Sequence, residues 1–245
     1  MNPKLLTCAG GLVIFALSYF IGSIPWGYLM GRFNGIDIRN YGSHNIGATN
    51  VRRVLGAGWS NLCFALDFLK GLLPVLYLGH SLGGSWSIGS DWGGILAAAG
   101  AVVGHVFTCW LGFKGGKGVA TSLGAALALA PVPVLIGLVV WVIMFYSTRV
   151  VAIASIGAIC TIAIAALLMR IFAWGQIATH TVVLLIIIAL VVVARHSDNI
   201  RRLLQGTENA FQKLRNKDDD GEETEQAPKK KPHPNKKMHK NHKRR

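Results

Sequence analysis

Between residues 5 and 194 the chain is a succession of apolar runs separated by short polar segments, and this pattern leaves few folds open. The runs cover residues 5–30, 54–79, 93–111, 119–146, 150–168 and 177–194. About 20 apolar residues in a helix cross a bilayer core of roughly 30 Å. With 52% hydrophobic and only 15% charged residues, the composition points away from a soluble domain. An all-α integral membrane protein is expected.

Two runs are interrupted. Gly22 and Pro25 break the first, which a membrane tolerates where neighbouring groups resatisfy the backbone. The run 119–146 has 28 residues, about 42 Å as one helix and too long for the core. Pro131 and Pro133 lie near its middle and remove backbone donors, so it divides there into two short spans. About seven transmembrane helices follow, with the N-terminus out and the C-terminus in. This arrangement puts Arg32, Arg39, Arg52, Arg53, Lys114, Lys117 and Arg149 on the cytoplasmic side and leaves Lys4 and Arg170 outside, as the positive-inside rule requires. Without the division at the prolines, the segment after residue 194 would fall outside.

Three polar segments then share the cytoplasmic face: YGSHNIGATNVRR at 41–53, FKGGKGVAT at 113–121 and RHSDNIRRL at 195–203. Together they read as one anion-binding site. Lys114 and Lys117, with Gly115, Gly116 and Gly118, allow close backbone approach and N–H donation to phosphate. The string lacks the order of a nucleotide-binding P-loop. Arg53 and either Arg201 or Arg202 offer planar forks to phosphate, while Ser43, Asn45, Thr49 and Asn50 add neutral donors. His196 and Asn199 share a face if the last helix continues inward. Asp198 is the carboxylate read as nearest to these segments. Cys8, Cys63, Cys109 and Cys160 form no CxxC pair, so neither a metal site nor a disulfide framework is expected.

Other groups have structural readings. Asp67 and Lys70, three apart within a span, are expected to pair. His105 is read equally as a buried structural histidine or a site residue. Gly100, Gly104 and Gly124 are expected at helix packing contacts. Residues 1–206 form the membrane domain, and 207–245 a charged tail too polar to bury a core, read as disordered. The basic end of that tail suits anionic lipid. No aromatic residues interleave the charges of residues 213–245, so nucleic acid is not an expected partner.

The strings GSIPWGYLMGR, GSHNIGATNVRRVLG, GHVFTCWLGFKGGKGVAT and RHSDNIRRLLQGTE resemble, in order and spacing, the PlsY family of bacterial acyl-phosphate:glycerol-3-phosphate acyltransferases. The resemblance covers about residues 8–208. It implies a multi-pass enzyme of the bacterial inner membrane that makes 1-acyl-glycerol 3-phosphate from glycerol 3-phosphate and a long-chain acyl phosphate, without cofactor or metal. It carries over Ser43, Arg53, Lys117, His196 and Asn199 as catalytic residues, with Lys114 and Ser155 in the phosphate-binding set. It implies direct attack of the glycerol hydroxyl on the acyl carbonyl, a substrate phosphate oxygen taking the proton. Membrane lipid and a soluble enzyme supplying acyl phosphate are the implied partners of a monomer. The sequence departs from the family pattern at His44, commonly glycine, and Ser197, commonly basic. A small transporter of an organic phosphate is the competing reading, weakened because 113–118 and 195–199 have no counterpart in the other half.

Overall fold

The structure is a computed structural model describing residues 3–86, 88–208 and 210. Among the described residues all regular structure is helical. Apart from residues 207, 208 and 210, the charged tail lies outside them.

Helix α1 (Pro3–Ser23) is followed after Pro25 by the short α2 (Trp26–Phe33). Two carbonyls at this break are taken up by other helices. Thr108 Oγ1 donates to Ser23 O at 2.6 Å and Lys70 Nζ donates to Ile24 O at 2.7 Å. Next come α3 (Ala48–Leu55) and α4 (Ala57–Leu73). The latter widens into a π-helical stretch (Pro74–Leu82), where Pro74 removes a donor from the ladder, and ends in the single turn α5 (Gly83–Ser85). The remaining helices are α6 (Ser90–Val106), α7 (Val119–Leu129), α8 (Pro131–Thr148), α9 (Val151–Ile171), α10 (Thr179–Ala194) and α11 (Ser197–Leu204).

The division expected at the prolines is present. α7 ends at Leu129, Ala130 leaves the helical region (φ −149°, ψ 73°) as the residue before a proline tends to, and α8 begins at Pro131. Among the described residues five helical segments are long and apolar enough to cross a membrane: Thr7–Phe33, Ala57–Ser85, Ser90–Leu111, Pro131–Thr148 and Val151–Ile171. The α10–α11 pair, bent by 54°, makes a sixth. α7, at 11 residues, is only about 16 Å long. It nevertheless runs back along α6, from Gly118 beside Val106 to Leu129 beside Gly94.

Small residues set the helix spacing. Gly100 and Gly104 of α6 sit against the Phe15 and Tyr19 carbonyls of α1, where a Cβ would come within 2.4 and 2.2 Å of oxygen. Gly124 of α7 meets Phe68 O of α4 in the same way. Such contacts let backbones approach where the surrounding lipid supplies little hydrophobic drive. Inside lie Ala97, Ala98, Ala101, Ala125 and Ala126, while α8 exposes Leu135, Val139 and Ile143. Asp67 and Lys70 do pair, at 2.7 Å, and both are buried.

Candidate functional site

Three helices start around one cleft, and each polar segment supplies the residues just before or within a first turn. The first segment is held by Asn50, fully buried on α3. Its Nδ2 donates to the carbonyls of Ile38, Tyr41 and Asn45, and its Oδ1 accepts from Ser43 N–H at 2.8 Å. Asn50 therefore frames the loop and has no polar capacity left for phosphate. Asn45 Oδ1 accepts from Gly47 N–H at 2.9 Å. His44 has φ +57°, a left-handed turn position, which explains why glycine is at home there. Its Nδ1 lies 2.9 Å from Arg39 O.

The second segment packs onto the end of α6. Gly115 N–H donates to Val106 O (3.0 Å) and Gly116 N–H to His105 O (3.1 Å). The expectation that these two N–H groups serve phosphate is thus corrected: the backbone of α6 has them. A Cβ on Gly115 would stand 2.0 Å from His105 O, so the glycine is required by the fold. On the opposite side Arg195 donates from Nη2 to Gly115 O (3.2 Å) and from Nε to Gly116 O (3.4 Å). Gly118, at φ +87°, turns the chain into α7 and leaves Lys117 at that helix's positive end.

The third segment closes the site. Lys117 Nζ donates to Asn199 Oδ1. Asn199 Nδ2 donates to Glu208 Oε1 at 2.7 Å, and Arg202 Nε donates to Glu208 Oε2 at 2.7 Å. The cleft, about 110 Å³, is lined by Ser43, Asn45, Lys117, Arg195, Asp198, Asn199 and Arg202, with Ala194 and Ser197. Arg53 is half-buried close enough to feel the charges of Glu208 and Arg202, and burial draws its guanidinium below the ordinary value.

Burial lowers Lys117 to about 8, with Arg202 and Arg53 acting the same way and Glu208 opposing. His196 is lowered to about 4, first by burial and then by Lys117. Its Nδ1 lies 2.8 Å from Val192 O, so in the neutral ring Nδ1 carries the hydrogen and Nε2 is the acceptor. Any activity that needs the Lys117 cation should therefore fall as pH rises through about 8, where the ammonium is lost, with no acid limb from His196 between pH 5 and 8. In Lys117→Arg the alkaline limb should move above pH 9. A wild-type profile flat to pH 9.5 would contradict this assignment.

Of the expected residues, Ser43, Asn45, Lys117 and Asn199 line the cleft. Thr49 lies on α3 without reaching it. Lys114 is exposed and outside the lining, so of the two lysines Lys117 is the one that lines the cleft. Ser155 is apart from it, buried on α9 and accepting from Trp141 Nε1 at 3.3 Å. Of the two arginines left open by sequence, Arg202 faces the cleft and Arg201 is exposed. Sequence reasoning missed Arg195 as a loop clamp and Glu208 as the buried carboxylate, although Glu208 ends the string RHSDNIRRLLQGTE. A second, larger hollow between α1 and α6, lined by Gly11, Leu12, Phe15 and Leu96 among others, is almost wholly apolar and offers nothing to neutralise an anion. No cluster of three His, Cys, Asp or Glu side chains that could hold a metal occurs among the described residues.

The family model for glycerol-3-phosphate acyltransferase matches residues 12–206. A glycerol-3-phosphate acyltransferase of Aquifex aeolicus is 41% identical over 201 residues, covering 82% of this chain and 97% of the relative. One from Geobacter sulfurreducens is 42% identical over 201 residues with the same coverage. The crystal structure of PlsY (YgiH), an integral membrane glycerol 3-phosphate acyltransferase, in its glycerol 3-phosphate form superposes with a TM-score of 0.73 at 38% identity, over 82% of this chain and 96% of that one. Its lysophosphatidic acid form gives 0.70 at 37%, over 82% and 95%.

Proposed function

Because this chain belongs to the glycerol-3-phosphate acyltransferase family, we propose that the cleft where α3, α7 and α11 begin is the place where an acyl group passes from acyl phosphate to the 1-hydroxyl of glycerol 3-phosphate. The observation that carries this reading is the chain Lys117–Asn199–Glu208–Arg202, which joins the second and third motifs, in the cleft that Ser43 and Asn45 of the first motif also line. Lys117, Arg53 and Ser43 neutralise and orient the phosphates, and Asn199 fixes the lysine. Lys114, at the rim, draws anions toward the opening. Neutral His196, with Nε2 as acceptor, orients the glycerol hydroxyl. That oxygen attacks the acyl carbonyl, the bond from the carbonyl carbon to the phosphate oxygen breaks, and a phosphate oxygen takes the proton. Glu208 acts as a positioning group, one oxygen accepting from Asn199 and the other from Arg202. The donor is already activated as a mixed anhydride, so positioning and charge stabilisation supply the catalysis.

The cleft faces the cytoplasm of a bacterial cell, across its inner membrane. Arg32, Arg39, Arg52, Lys114 and Arg149 border the polar segments or cap helices at this end, and Arg170 ends α9 on the other. Counting α7 as the short return pass beside α6 gives seven crossings, N-terminus out. A monomer suffices, receiving acyl phosphate from the bilayer or from the soluble enzyme that makes it.

Purified protein given labelled glycerol 3-phosphate should form lysophosphatidic acid with palmitoyl phosphate and none with palmitoyl-CoA. Product from palmitoyl-CoA alone would overturn the donor. No product from either, with glycerol 3-phosphate accumulating in vesicles, would establish transport instead.

A further inference from the structure

Asp67, Lys70 and His105 are buried beneath the loop 112–118, outside the cleft, and the phosphate chemistry uses none of them. Lys70 Nζ lies 2.7 Å from Asp67 Oδ1 and donates to Ile24 O at the α1–α2 break. Asp67 Oδ1 is 3.7 Å from His105 Nδ1, a packing contact longer than a hydrogen bond, so the carboxylate bounds the ring without bonding to it. Ionisable groups inside a membrane protein are costly, and a well-packed apolar replacement of a buried ion pair is often no less stable. Stability alone is therefore a weak reason for this cluster.

The far edge of His105 meets the functional loop. A Cβ built on Gly116 would come 2.2 Å from His105 Nε2, and its next nearest atoms are both imidazole carbons. Gly116 is thus seated directly on the ring, its N–H bonded to His105 O below and its carbonyl to Arg195 above. The next residue is Lys117.

We propose that Asp67 and Lys70 fix the imidazole of His105 as the floor on which Gly116 rests, making all three positioning residues that set how far Lys117 reaches into the cleft. The inference depends on Lys117 holding the phosphate of glycerol 3-phosphate. A displacement near 1 Å in such a site costs up to about 100-fold in rate, so the height of this floor matters. Gly116 has no positive φ, which leaves the ring as the obstacle to a side chain there.

The test is a reciprocal pair. His105→Ala should raise the KM for glycerol 3-phosphate by about tenfold with little change in the KM for acyl phosphate, and His105→Gln should restore most of the loss. Gly116→Ala should lower kcat/KM by about 100-fold because its methyl collides with the ring. The double variant His105→Ala/Gly116→Ala gives the methyl room and should recover about tenfold over Gly116→Ala alone, a coupling that independent sites do not show. Asp67→Leu/Lys70→Met, which removes both charges together, should stay folded by thermal melting in detergent yet raise the glycerol 3-phosphate KM as His105→Ala does.

A double variant no better than Gly116→Ala would overturn the proposal. So would an unchanged KM in Asp67→Leu/Lys70→Met, or loss of folded protein in both His105→Ala and His105→Gln. Lys117→Met separates the two levels. If it leaves the KM for glycerol 3-phosphate unchanged, the underlying site assignment is wrong; if it raises that KM while the double variant shows no rescue, only the floor is.

Discussion

Replacing Lys117 by methionine should lower kcat/KM by about 100- to 1,000-fold while the protein still inserts and folds, as expected when one preorganised donor is removed from an anion site. Lys117 lies in the cleft where the three segments meet. It follows the glycine loop, it donates to Asn199 on α11, and it lines the cleft with Ser43 and Asn45. Methionine keeps the stem and deletes the charge, leaving Asn199 Oδ1 without its donor inside a half-closed cleft. Lys114→Met removes the same charge three residues away at an exposed position, and should cost less than about tenfold, mainly through weaker attraction of anions. Steady-state kinetics on both variants, with insertion checked by detergent extraction, decides the matter. Equal losses would mean that the loop acts only as a patch of positive charge.

The contrast between these lysines marks the limit of what the sequence made legible. Hydropathy and the prolines fixed the helices closely, and the break at Pro131 appears where a donorless residue predicts it. Order and spacing of the motifs also placed Ser43, Lys117 and Asn199 together. What did not follow was the use of individual polar atoms. Asn50 and Gly115 look like phosphate ligands in a polar, glycine-bearing string, yet their hydrogen-bonding groups are taken by the fold itself. Such groups satisfy the backbone first wherever a loop is buried. Arg201 and Arg202 are adjacent in sequence and point differently because successive residues on a helix lie about 100° apart. Glu208 escaped notice because a single acid at the edge of a charged tail carries no periodic signal, and only the return of the chain past Gly206, at φ +69°, brings it to Asn199.

Glu208→Ala should abolish most turnover and lower stability by about 2 kcal/mol, since it strips the acceptor from two donors at once. Its carboxylate is only 4% exposed, whereas Arg202 is 33% exposed and can regain water when its partner goes. The stability loss therefore falls below the several kcal/mol expected for a fully buried pair. The larger effect is on geometry. Without Glu208, the Asn199 amide is free to rotate, and Lys117 loses the oxygen that holds it. Glu208→Gln retains the shape but presents an NH2 group to either Arg202 or Asn199, both donors, so it should fold nearly as well and still lose about tenfold or more in kcat/KM. A general base in this position predicts something different: the loss would fall on kcat and be independent of Arg202. If Glu208 instead acts through its two partners, Arg202→Met and Glu208→Gln should be strongly non-additive, the double variant being little worse than the poorer single one. Additive losses in that cycle would return Glu208 to the chemistry and require a carboxylate to take the proton from the glycerol hydroxyl.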